Sequence, residues 1–243
     1  MMESSPQPTT YALYLESGPK RRKTMVHALD LLGCVAIGPT TDAALAATPD
    51  AIRAYLRFLR RHGETDAPAP DAPFETRIAT HITEGAWLGN GSPYLIFAPD
   101  LTPLTDAELA TCLRRVDWLC DDLAAWADAH PASQRVTAPA DGGRTSEAVL
   151  LHALAAQGAA LAYALGGAPG FNALAREVER GERGVSEALV ASAALVAEQA
   201  RALTPEQRAA VRTLPSGQYT LRKALRRILE HNWEHLLELE RRD

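Results

Sequence analysis

Along the first hundred residues the apolar positions fall in short runs broken by glycine and proline. Residues 10–16 form a β-prone run, residues 18–23 a basic turn, and residues 24–31 and 34–37 two further apolar runs split by Gly33. The period then changes. Leu45, Ile52, Leu56 and Leu59 recur at helical spacing across residues 41–62, and Gly63 stands at the expected stop. Pro49 interrupts that pattern. With Thr48 read as a fresh N-cap, a short turn followed by a main helix from Pro49 is expected. A proline-rich connector, residues 63–73, is expected to be extended. Phe74, Thr76, Ile78, Thr80 and Ile82 then alternate with mostly polar neighbours, which predicts a half-buried strand. Residues 94–98 are a continuous apolar run and predict one more strand.

Beyond a boundary placed at residues 99–103 the pattern is helical. Thr105 with Glu108 forms a capping box, and Leu109, Leu113, Val116, Leu119 and Leu123 mark the stripe of a helix that ends before Pro131. Residues 131–144 read as a loop. Ser146 is expected to cap a second helix reaching Leu165, apolar on several sides and therefore central. A third helix is expected over residues 186–203 and a short helical piece over 204–212. Thr220 should cap a last helix running nearly to Asp243. Residues 166–185 are long enough to cross the length of a bundle. The fold class that results is α+β, with a small α/β domain over residues 1–100 and an all-α four-helix bundle with one long crossover over 101–243.

Composition narrows the functional classes. The 243 residues carry a net charge of −5, and aromatic residues make up only 6%. Residues 1–83 hold 9 basic and 9 acidic side chains, and residues 84–243 hold 16 and 21. That balance disfavours a nucleic-acid partner, although it leaves room for a local basic patch. No 18 consecutive apolar residues occur, and residues 1–8 lack an apolar core, so neither a membrane span nor a secretory signal is expected, and no membrane partner. Cys112 and Cys120 lie eight apart in one helix, roughly 12 Å along the axis, too far for a disulfide. Cys34, Cys112 and Cys120 are expected to be buried thiols of a cytoplasmic protein.

The candidate chemistry lies in the histidines. His231 and His235 are four apart in the last helix and leave the same face. The stripe Leu221, Ala224, Leu225, Ile228 runs into them, so both should point at the bundle interior. His152 shares a stripe of the second helix with Val149, Ala156 and Tyr163. Three neutral imidazoles converging in a bundle make an open metal site for one divalent transition metal: zinc, nickel, iron(II) or copper. The segment from His231 to His235 also matches the inverted zincin pattern, in which Glu234 would be a general base. The eight residues after His235 continue the same helix, so no downstream element is expected to add the third ligand. Glu234 is then a weak catalytic candidate. Arg222, Arg226 and Arg227 could hold an anionic substrate, or pair with Glu230 and Glu234 on a solvated face. Gln157 and Tyr163 are weaker pocket candidates.

Two resemblances follow from these residues. The segment 146–165 with His152, the terminal stretch LRKALRRILEHNWEHLLELE and the helix from Thr105 resemble the DinB-like family over residues 101–243. That resemblance implies a bundle with one crossover and a metal site at His152, His231 and His235. It further implies a metal-dependent thiol transferase, using a low-molecular-weight thiol against a small-molecule electrophile, or a hydrolase, and a homodimer. The segment TMVHALDLLGCVAIGPTTDAALAATPDAIRAYLRFL is similar to HicB-like antitoxins over residues 10–83, with Asp30, Gly33, Cys34, Gly38 and Thr41 on the strand–turn–strand–helix pattern. It leaves open a non-catalytic metal-binding or regulatory protein whose first domain recruits a protein partner.

Overall fold

A computed structural model describes residues 8–140 and 142–242. Of the expectation placed on residues 1–8, all but Pro8 lies outside the described residues. The chain divides into two compact units, residues 1–92 and 93–243.

In the first unit, β1 (Thr9–Ser17), β2 (Thr24–Ala28), β3 (Val35–Gly38) and β4 (Phe74–Ile82) form one sheet in the order β3-β2-β1-β4. β1 pairs antiparallel with β2 and parallel with β4, and Ala79 bulges out of the β1–β4 register. Helix α1 (Thr41–Arg61) packs on β2 and β3 and buries Ile52, Tyr55, Leu56, Phe58 and Leu59. Several expectations change here. α1 runs unbroken through Pro49; its N-cap is Thr40, which accepts a hydrogen bond from Ala43 N. Thr48 is no cap but a buried helical residue whose hydroxyl donates to Ala44 O at 2.8 Å. The β4 strand forms where expected, but it is an edge strand, and Ile78 is 48% exposed. The connector before it is a series of turns, with Ala67 N on Glu64 O and Ala72 N on Ala69 O, rather than an extended segment.

The second unit is built on α2 (Asp106–Ala129), α4 (Ser146–Leu165), α6 (Val185–Arg201) and α8 (Leu221–Glu240). α2 and α4 each pack against both α6 and α8, so the four enclose one core. The Thr105–Glu108 capping box opens α2, and Thr220 caps α8. α4 is capped by Thr145, one residue before the expected Ser146, with Ala148 N donating to its hydroxyl. Short elements fill the connections. These are α3 (Ala132–Arg135), α5 (Phe171–Glu179) in the crossover, α7 (Pro205–Ala209), and the hairpin β5 (Arg212–Leu214) with β6 (Gly217–Tyr219). α5 docks because Gly158 of α4 has no side chain: a Cβ there would lie 2.8 Å from Phe171.

Residues 94–98 are not a strand. Phe97 caps a 3-10 turn, Ala98–Leu101, in which Asp100 Oδ2 accepts from Phe97 N at 2.9 Å. Asp100 also binds α8, so residues 93–100 belong with the helical unit and the division falls between Ser92 and Pro93 rather than after residue 100. Among the described residues α4 alone is long and apolar enough, by length and composition, to cross a membrane. Here it lies against α5, α6 and α8, with Val149, Leu150, Ala153 and Leu161 fully buried.

Candidate metal centre

α4 and α8 bring three histidines together. His231 Nε2 lies 3.1 Å from His152 Nε2 and 3.2 Å from His235 Nε2. One ligand atom from each ring falls within 4.8 Å of the others. With metal–nitrogen bonds of about 2.05 Å, the edge of a tetrahedral site is about 3.3 Å. The two short nitrogen separations therefore match the spacing of bound imidazoles. The rings stand edge to face, 66° to 88° between planes, so the three lone-pair directions are not parallel.

The second ring nitrogens are held differently. His235 Nδ1 lies 2.8 Å from Glu238 Oε2. An Nδ1–H donated to that carboxylate leaves Nε2 free as a ligand. Glu238 is in turn held by Arg242, which also donates to Arg144 O and Ser146 Oγ at the start of α4. Burial raises the Glu238 carboxyl, but His235 and Arg242 outweigh it and hold it below the usual range. His231 Nδ1 is buried without a hydrogen-bond partner. Burial, then the charges of His235 and Arg227, press the His231 pKa well below 6.5. Burial, followed by Arg144 and His235, lowers that of His152. Two of the rings are thereby kept neutral, the form that ligates metals. The donor set, its spacing and its protonation fit a divalent transition metal.

Glu234 is half-buried, and a carboxylate seen to touch one of the histidines is Glu238, three residues beyond His235. That i, i+3 spacing was the signal available in the sequence. Tyr163 is eleven residues along α4 from His152, about 16 Å, and stacks on Tyr219 with ring centroids 4.8 Å apart. Arg222 donates to Thr102 O, Pro103 O and Glu108 Oε1. Arg226 is 1% exposed, makes two hydrogen bonds to Asp100 at 2.8 and 3.0 Å, and two to Glu230 at 3.1 and 2.9 Å. Arg227 binds Glu230 at 2.8 Å. These arginines are engaged in contacts within the helical unit.

Gln157 serves the core. Its amide nitrogen lies 3.5 Å from Cys120 Sγ and its oxygen 3.1 Å from Ser192 Oγ, while Asn232 Nδ2 reaches the same sulfur at 3.6 Å. One polar residue from each long helix thus meets at the centre of the bundle. Burial pushes the Cys120 thiol up to about 12, against hydrogen bonds from Gln157 and Ser192, so it is an inert apolar neighbour. Cys34 and Cys112 are likewise buried, and neither is in a disulfide. An open groove of about 460 Å³ between α2 and α6, floored by Ala124, Ala191 and Ala194, is not lined by any of the three histidines.

Comparison of the chain with models of known families, with curated proteins and with solved structures finds no match.

Proposed function

We propose that the helical unit is a DinB-like metal-binding bundle that holds one divalent transition metal at His152, His231 and His235 and acts as a metal-dependent thiol transferase or hydrolase. The observation that carries this reading is the approach of His152 Nε2 and His235 Nε2 to His231 Nε2 at 3.1 and 3.2 Å, near the edge of a tetrahedral site. When bound, the metal supplies Lewis acidity at its remaining position, where a thiol or a water would be made more acidic. The chain's own contribution is orientation. Glu238 fixes the His235 ring, Arg242 fixes Glu238 against the start of α4, and burial keeps His231 and His152 neutral.

Elemental analysis of the purified protein beside His231→Ala tests the reading. About one equivalent of metal in the first and none in the second supports it. No metal in either, after reconstitution with zinc, nickel or iron(II), overturns it.

One observation favours a second reading, a non-catalytic metal-binding protein whose HicB-like first unit recruits a protein partner. The arginines expected to hold an anionic substrate are all engaged in ion pairs or carbonyl contacts within the helical unit. A screen of small thiols with alkyl halide and epoxide electrophiles separates the two. Metal-dependent turnover supports the enzyme, and stoichiometric metal without turnover supports the second reading. In either reading the protein is proposed to be cytoplasmic and homodimeric.

A further inference from the structure

The loop between β1 and β2 carries four consecutive cations, Lys20, Arg21, Arg22 and Lys23, all exposed. A second loop of the same unit, after β4, carries Trp87, which is 70% exposed. The two loops are locked together. Lys23 Nζ donates to Asn90 Oδ1 at 2.6 Å, and the backbones of Gly89 and Lys23 pass so closely that a Cβ on Gly89 would lie 2.2 Å from Lys23 O. A Cβ on Gly18 would similarly meet Leu88 O at 2.9 Å. Across both loops four cations stand against one exposed carboxylate, Glu84.

Backbone conformation marks the same place. Among the described residues, those other than glycine with left-handed φ are Lys20, Arg21 and Trp87, at 58°, 53° and 63°. Left-handed φ is costly for long and aromatic side chains, and such strain collects at binding segments. The interlocked loops therefore hold an indole and a row of cations outward at a cost in backbone energy.

We propose that this paired-loop surface docks peripherally on an anionic lipid bilayer, with Trp87 entering the interfacial layer and Lys20–Lys23 contacting lipid phosphates and carboxylates. Tryptophan favours the headgroup level, where its ring is apolar and its N–H stays wet. Clustered cations add attraction to anionic lipid that decays within a Debye length. Each signal alone is weak, and the pairing of one insertion residue with one polybasic segment is what stable docking needs. A single-stranded nucleic acid, the other polyanion to weigh, is bound by a groove with successive stacking platforms. Across these two loops the one large exposed aromatic residue is Trp87, not a row of stacking platforms. Hydropathy along the chain bears on spanning segments and does not speak to such a surface.

Co-sedimentation of the full chain with vesicles tests the proposal. Vesicles of phosphatidylcholine with 30 mol% phosphatidylserine are expected to bind it, and pure phosphatidylcholine vesicles to bind it at least tenfold less. Arg22→Glu, at a position of ordinary backbone, is expected to lower binding about tenfold, and 0.5 M salt to abolish it. Trp87→Asn, which suits the left-handed backbone but lacks the indole, is expected to lower it at least fivefold. Unchanged circular dichroism shows that both variants keep their fold. Equal binding to the two vesicle types, or no effect of either variant, overturns the proposal. Binding of a fluorescent dT oligonucleotide that is lost in both variants, with no binding to anionic vesicles, overturns it in favour of nucleic acid.

Discussion

Glu238 and His235 stand one helical turn apart and meet at 2.8 Å, through the ring nitrogen that faces away from the other two histidines. The carboxylate sets the tautomer and the tilt of one ligand through the ring nitrogen that is not in the cluster. Glu238→Gln keeps the shape but gives up the charge, so metal affinity is expected to fall 10–100-fold, against complete loss for His231→Ala. Competition against a calibrated chelator measures both. Affinity equal to that of the unaltered protein would show that the pair is a surface contact only.

Metal-free protein should lose stability in mild acid. The His231 and His152 pKa values are depressed in the folded chain, while the unfolded chain titrates near 6.5. Below that value the unfolded state binds protons that the native state refuses, so stability rises with pH. The contribution is complete above about pH 7 and is lost as pH falls through 6.5 toward the folded values. Urea midpoints of chelator-treated protein at pH 7.5, 6.0 and 5.0 should decrease in that order. His152→Gln with His231→Gln should flatten the trend, and an unchanged slope in that double variant would assign the acid sensitivity elsewhere.

Arg226→Ala should be among the most destabilising single changes in the helical unit. It takes the shared cation from Asp100 and Glu230, both 1% exposed, and leaves Glu230 with Arg227 alone of its two arginines. Removing one partner from a buried ion network costs about 3–5 kcal/mol. Denaturant titration gives the loss, and metal content per folded molecule should stay the same. Loss of metal with intact stability would return Arg226 to the site.

Pro49→Ala should stabilise the first unit. Proline at this point inside α1 lacks the N–H that Leu45 O would accept and crowds that carbonyl. Relief of a helix-interior proline is worth up to about 3 kcal/mol, less whatever α1 recovers by bending around it. A rise in thermal midpoint checks this. A fall would mean that Pro49 is required for α1 to fit the sheet.

What could be read in advance depended on how local the cause was. His231 and His235 were legible because the stripe through Leu225 and Ile228 carries on into them, and both lie in the described cluster with His152. The caps at Thr105 and Thr220 were legible because a cap is decided within four residues. The roles of Arg222 and Arg226 were not, since their partners Glu108 and Asp100 lie more than a hundred positions away. Residues 94–98 look like a strand because they are apolar. No neighbouring strand accepts them, and Phe97 instead packs under the Arg226 guanidinium, 5.3 Å from its ring centre. At Pro49 local propensity pointed to a break, and the burial of Ile52, Tyr55 and Leu56 on the same helix face carried α1 through it.

The polar quartet of Cys120, Gln157, Ser192 and Asn232 has a consequence for helix α4. Alanine, leucine and glycine cover most of its circumference, so hydrophobicity alone gives it little reason to prefer one rotation about its axis over another. Gln157 restricts that freedom, because a small rotation would separate its buried amide from Cys120 and Ser192. The direction in which His152 points is thus inherited from a residue five positions away that never approaches the other histidines. Drift at Gln157 toward leucine would keep a well-packed bundle and blur the azimuth of one ligand, so a chain could lose its metal while remaining folded.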